Sequence, residues 1–110
     1  MPYLKINQDD AKPTFEVLDL PDELRDWLAA CHNAIGCSQI EIVQTVIRGL
    51  VLVIDDAGKC RGKRINKVAS ILYGSDWDQI VGDAILARDA GDKLAPLTSV
   101  DVDRLRRYFA

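Results

Sequence analysis

Five of the fourteen lysines and arginines in this chain of 110 residues, Lys59, Arg61, Lys63, Arg64 and Lys67, fall within nine positions, with no acid among them. Cations crowded so closely repel one another unless an anion shares them, and a guanidinium can grip a phosphate or carboxylate with two parallel hydrogen bonds. In an extended segment Arg61 and Lys63 alternate onto one face. Arg64 and Lys67 flank Asn66, a good N-cap whose side-chain oxygen accepts from a backbone N–H two or three residues on. A helix start presents unpaired N–H groups and a partial positive charge, so cations beside it would form a compact site for a small anion. The candidate ligand-binding residues are Arg61, Lys63, Arg64, Asn66 and Lys67, together with Ser70 in the helix and Tyr73 as a surface on which a base can stack. A bland reading competes with this one, since lysines also mark a solvated edge strand protected from pairing with other chains.

Other chemistry is thinly represented. Asp76, Asp78 and Asp83 match no metal-binding loop and read as solvated loop acids, while Asp55 and Asp56 are explained by turn formation. Cys31, Cys37 and Cys60 are odd in number and lack metal-ligand or redox spacing, so they are expected to be reduced and structural. His32 follows Cys31 directly and points about 100° away from it on a helix, which is poor geometry for a nucleophile and its base. A thiol hydrolase pairing His32 with Cys37 is the weaker alternative. No nucleophile elbow, phosphate-binding loop or dinucleotide fingerprint occurs. The chain is therefore expected to be non-enzymatic, with no metal and no cofactor.

Size and composition set the frame for these residues. A chain of 110 residues with 48% apolar and 28% charged side chains fits one soluble globular domain, residues 1–110, with a single core. The longest apolar run, Leu50 to Ile54, is far short of the roughly 20 residues that cross a bilayer, and the N-terminus lacks signal-peptide order, so the cytosol is the expected compartment. The formal charge is −3, and residues 59–67 carry +5, which leaves −8 on the remainder. Such a field opposes an extended nucleic-acid duplex and favours a small anionic ligand.

The elements follow from pattern. Tyr3 to Ile6 and Thr14 to Leu20 read as strands, and Leu24, Trp27, Leu28, Cys31 and Ile35 form the apolar stripe of a helix over Asp22 to Ile35, stopped by Gly36. Trp27 on that stripe reads as core. Gln39 to Ile47 is β-rich. Leu50 to Ile54 is apolar without alternation, which marks a central strand covered on both faces. A turn at Asp55 to Gly58, with Gly58 supplying positive φ, would lead into a basic strand, Lys59 to Ile65, antiparallel to Leu50–Ile54. A helix over Asn66 to Tyr73 follows, then a strand over Gln79 to Asp89 interrupted by Gly82, a loop over Ala90 to Pro96, and a helix over Ser99 to Phe109 capped by Thr98, with Asp101 completing a capping box. The fold class is α+β, with an antiparallel or mixed sheet of about five to seven strands and three helices packed on it.

Two short motifs add a family. Asn66-Lys67-Val68-Ala69-Ser70 after a basic stretch, and Ile80-Val81-Gly82-Asp83, resemble the N-x-x-A-S and I-x-G signatures of domain-of-unknown-function family 3846, found in phages, mobile elements and bacteria. The apolar strand and Asp-x-Gly turn before Asn66, and the helix start at Leu97, Thr98 and Asp101, fit the same order, although Lys67 stands where that family commonly has Pro. The resemblance implies no activity. It does imply an origin in which small folded proteins work on host components, so the expected partner is a host protein or a small anionic, nucleotide-like ligand, with counter-defence as a role and a homodimer as an allowed state. A nucleic-acid-binding accessory protein using residues 59–67 is the alternative.

Overall fold

Leu50 to Asp55 is a strand buried along its whole length, as an unbroken apolar run requires. The structure, a computed structural model, describes residues 3–8, 15–58 and 62–108. In chain order its elements are strands β1 (Tyr3–Ile6) and β2 (Phe15–Leu18), helix α1 (Leu24–Ile35), strands β3 (Ile40–Gln44) and β4 (Leu50–Asp55), helix α2 (Lys67–Tyr73), strands β5 (Ala84–Asp89) and β6 (Leu94–Ala95), and helix α3 (Ser99–Tyr108). The strands form one antiparallel sheet in the order β2-β1-β5-β4-β3, with β6 beside the end of β5. The fold is α+β, with six strands and three helices among the described residues. None of these helices is long and apolar enough to cross a membrane.

Alternation along β4 sends successive side chains to opposite faces. Leu50, Leu52 and Ile54 join Ala84 and Leu86 of β5, Ala69 and Leu72 of α2, and Leu97 and Leu105 around α3 in one apolar cluster. Val51 and Val53 join Ile85, Ala87, Tyr3 and the Trp27, Cys31 and Ile35 stripe of α1 in the other. The sheet is thus the middle layer, with α1 on one side and α2 and α3 on the other.

Local chemistry sets the helix ends. The Glu23 carboxylate accepts from the backbone N–H groups of Arg25 and Asp26 at 3.2 Å each, so α1 begins two residues later than expected. It ends at Gly36, whose φ of 74° is the left-handed geometry glycine favours. At α3 the Asp101 N–H donates to Thr98 Oγ1 at 3.2 Å and the Thr98 N–H donates to Asp101 Oδ2 at 2.9 Å, a reciprocal capping box.

Four expectations are corrected. β4 is flanked by β3 and β5 and has no free edge, so the basic segment cannot pair with it. From Gly62 onward that segment is irregular, its one β-type pairing among the described residues being an isolated bridge between Ile65 and Val81, and Lys59 to Arg61 lie outside the described residues. The strand expected over Gln79 to Asp89 starts only at Ala84. The expected loop over Ala90 to Pro96 contains β6. The turn after β4 does form, with the Ala57 N–H donating to Asp55 Oδ1 at 2.9 Å, but Gly58 is not among the glycines of positive φ. What requires glycine at 58 is space, because a Cβ there would lie 2.8 Å from Val81 Cγ2.

Candidate functional site

The irregular segment after β4 separates the cations that the sequence groups together. Lys63 turns inward: its Nζ sits 2.6 Å from Asp55 Oδ2 and donates to the carbonyl oxygens of Ile35 at 3.2 Å and Gly36 at 3.1 Å. The last carbonyls of a helix carry partial negative charge and lack intrahelical partners, so one lysine here joins the end of α1 to the end of β4. Gly82 makes room for this side chain, since a Cβ at 82 would lie 2.8 Å from Lys63 Cδ. Arg64 and Lys67 remain exposed at the start of α2, with no ion-pair partner among the described residues. Arg61 lies outside the described residues.

Asn66 and Ser70 form a clasp with the other signature segment. Asn66 is 1% exposed, and its side-chain NH₂ donates to the carbonyls of Ile6 at 2.9 Å and Gly82 at 3.0 Å while its oxygen accepts from the Ala69 N–H at 3.1 Å. Its own N–H donates to Ile80 O at 2.8 Å. Ser70 Oγ donates to Ile80 O at 3.2 Å and accepts from the Ile80 N–H at 2.9 Å. The two motifs therefore bind each other, closing the chain between α2 and β5 where the backbone lacks regular sheet partners. Asn66 and Ser70, two of the candidate ligand contacts, thus spend these polar groups within the fold. Tyr73 is half-buried against the core beside α2.

A second buried polar centre ties α3 to the sheet. Arg88 Nε donates to Asp101 Oδ2 at 2.8 Å and an Arg88 terminal nitrogen donates to Oδ1 at 2.6 Å, a bidentate pair on a fully buried carboxylate. Burial pushes the Asp101 carboxyl up, but the Arg88 guanidinium and the Thr98 bonds outweigh it and hold the group below its ordinary value.

The face covered by α1 is arranged differently. Between α1, β3 and the β5–β6 end runs a groove of about 490 Å³ lined by Tyr3, Trp27, Leu28, Ile42 and Leu94, with Asp22, Asp89, Asp92 and Lys93 also bordering it. Leu24 on the flank of α1 is 68% exposed and Ile42 on β3 is 49% exposed, so apolar surface faces solvent on both walls. Trp27 is 7% exposed, and its indole N–H has no hydrogen-bond partner among the described residues, which is uncommon for a buried donor. Its proximity to the Tyr3 hydroxyl favours the charged form of that phenol. Burial is the larger influence and raises the Tyr3 phenol, which therefore keeps its proton and remains a donor. The groove thus combines apolar walls with a rim of three carboxylates and one lysine among its described residues.

Only part of this was visible in the sequence. Trp27 is core, as its stripe implied, but Leu24 belongs to the same stripe and is left in solvent. A stripe wider than its packing partner was the available signal. Elsewhere on α1, burial, and after it the neighbouring Cys37, pushes the Cys31 thiol up to about 12, which leaves it protonated and unreactive. His32 and Cys37 border a shallow depression at the end of α1. Among the described residues no group of three or more His, Cys, Asp or Glu is arranged to hold a metal.

Comparison with curated proteins and with solved structures finds no match. A family model does match, over residues 3–110, which includes the Asn66–Ser70 and Ile80–Gly82 clasp. The chain belongs to DUF3846, a domain of unknown function.

Proposed function

We propose that this chain is a non-catalytic binding protein that holds a partner protein in the groove between α1, β3 and β6. The observation that carries the reading is a groove lined by Tyr3 and Trp27 whose walls leave Leu24 and Ile42 exposed to solvent. The lining combines apolar walls with a few convergent polar groups, the usual composition of a binding site. A host protein in the cytosol is the partner class this reading takes, and counter-defence is a role it accommodates.

A second reading, capture of a small anion such as a nucleotide, has its own support: Arg64 and Lys67 stand exposed and unpaired among the described residues in an acidic chain. Lys63 contributes nothing to it, because its charge is answered by Asp55. Nucleic acid would use the same two cations, with affinity falling steeply as salt rises. Thermal-shift measurements with nucleotides and polyphosphate, on the wild type and on the Arg64→Ala/Lys67→Ala double variant, separate the readings. The groove reading expects no shift from either anion, whereas a shift lost in the double variant would move the site to the start of α2.

A further inference from the structure

The free edge of β3 borders the groove, and its backbone is arranged to accept another strand. In the register of β3 on β4, Ile40 pairs with Asp55 and Gln44 with Val51. Immediately beyond, the Asp56 N–H donates to Gln39 O at 3.2 Å and the Thr45 N–H to Leu50 O at 3.2 Å. These bonds fall on odd-numbered residues, and in an antiparallel ladder bonded and non-bonded pairs alternate, so Glu41 and Val43 also bond to β4. The N–H and C=O groups of Ile40, Ile42 and Gln44 consequently point outward along the edge. β3 carries no Lys and no Pro, the residues that commonly blunt such an edge.

We propose that β3 binds an extended, basic segment of a partner protein by antiparallel strand addition, with alternate apolar side chains of that segment entering the groove beside Ile42. This names the partner of the groove and so rests on the reading above. In an antiparallel pair the residues that bond directly to Ile40 and Ile42 project their side chains to the same face as Ile40 and Ile42, and that face is the groove. Charge selects the sign of the partner. On the groove side Asp22, Asp89 and Asp92 oppose Lys93 alone. On the other side of β3 a smaller depression is lined by Glu41, Asp56 and Asp78, with no base among its described residues. Acids flank the acceptor strand on both faces, so basic side chains are favoured in either direction.

The probe is a heptapeptide alternating Leu and Lys, tested by calorimetric titration against the full chain beside a Leu/Glu counterpart. Leu faces the groove in this arrangement, so the Leu amides bond to β3 and the Lys amides face away. N-methylation of the Leu amides is expected to weaken binding at least tenfold, whereas N-methylation of the Lys amides is expected to leave it unchanged. Ile42→Pro removes the outward N–H while leaving the β4 bonds on Glu41 and Val43, and is expected to cost a similar factor. Should Ile42→Pro fold poorly, the two methylated peptides on wild-type protein carry the same test. Strand addition is overturned if the two methylated peptides bind alike, if the Glu peptide binds as well as the Lys peptide, or if wild-type protein forms a dimer that Ile42→Pro abolishes, which would make a second copy the occupant. If both methylated peptides bind as the parent does and Leu24→Lys abolishes that binding, the groove reading survives without strand addition. If no peptide binds, both fall.

Discussion

On the face of the sheet covered by α2 and α3 the buried polar groups answer one another, whereas on the face covered by α1 a buried indole N–H has no partner among the described residues. Asn66 joins Ile6, Gly82 and Ala69, Ser70 joins both backbone groups of Ile80, and Asp101 takes two bonds from Arg88 and one from Thr98. Across the sheet, Trp27 and Tyr3 line an open groove, and the Trp27 Nε1 atom is buried. A satisfied network fixes one arrangement of the chain, while a buried donor left without a partner adds nothing to that fixing. The Asn66–Ser70 and Ile80–Gly82 segments lie in the satisfied network, so their polar side chains are explained by folding.

The largest expected effect lies in the network. Asp101→Ala removes a buried carboxylate held by an arginine and a capping box, and is expected to lower stability by about 3 kcal/mol, read by urea unfolding. The same residue predicts an acid limb. The folded state binds the Asp101 proton more weakly than the unfolded chain does, so Asp101 stabilises at pH values above the ordinary carboxylate value of 3.8 and ceases to do so as pH falls through its lower folded value. In Asp101→Asn that part of the acid dependence is expected to vanish; an unchanged acid slope would mean that another carboxylate carries it.

Asn66→Ala comes next. As an N-cap alone it would cost about 1 kcal/mol. Because the side chain also satisfies two buried carbonyls, the expected loss is about 2 to 3 kcal/mol, and a loss near 1 would mean that water replaces those bonds. Smallest are the exposed positions. Leu24→Lys and the Arg64→Ala/Lys67→Ala double variant are expected to leave the melting temperature unchanged, since each side chain stands in solvent. The contrast between them appears only in binding, which Leu24→Lys weakens and the double variant leaves intact.

How much of this the sequence disclosed follows from the range of each interaction. The central strand, the three helices, the Asn66 cap and the Thr98–Asp101 box depend on neighbours a few residues away, and their patterns were legible. Lys63 was not, because the groups that draw it inward belong to Ile35 and Gly36, 28 and 27 residues earlier. Arg88 was equally hidden, since nothing local distinguishes a strand arginine in solvent from one pairing with a helix N-terminus 13 residues on. The basic segment looked like a site because like charges adjacent in sequence are visible. The carboxylate that neutralises one of them is separated from it by a turn and was explained by that turn. The groove left almost no trace, for its walls come from α1, β3 and β6 and meet only through the sheet order.

The most direct test uses the two tryptophans as opposed reporters. Trp27 borders the groove with its N–H unpartnered, while Trp77 is 96% exposed in the loop after α2. In a ¹H–¹⁵N spectrum each contributes one indole N–H signal. If the groove is the binding site, adding the alternating Leu/Lys peptide shifts the Trp27 indole signal, and the Trp77 indole and the Arg64 and Lys67 amides stay where they were. A Trp27 signal that does not move while the Arg64 and Lys67 amides respond, to the peptide or to added polyphosphate, would contradict it.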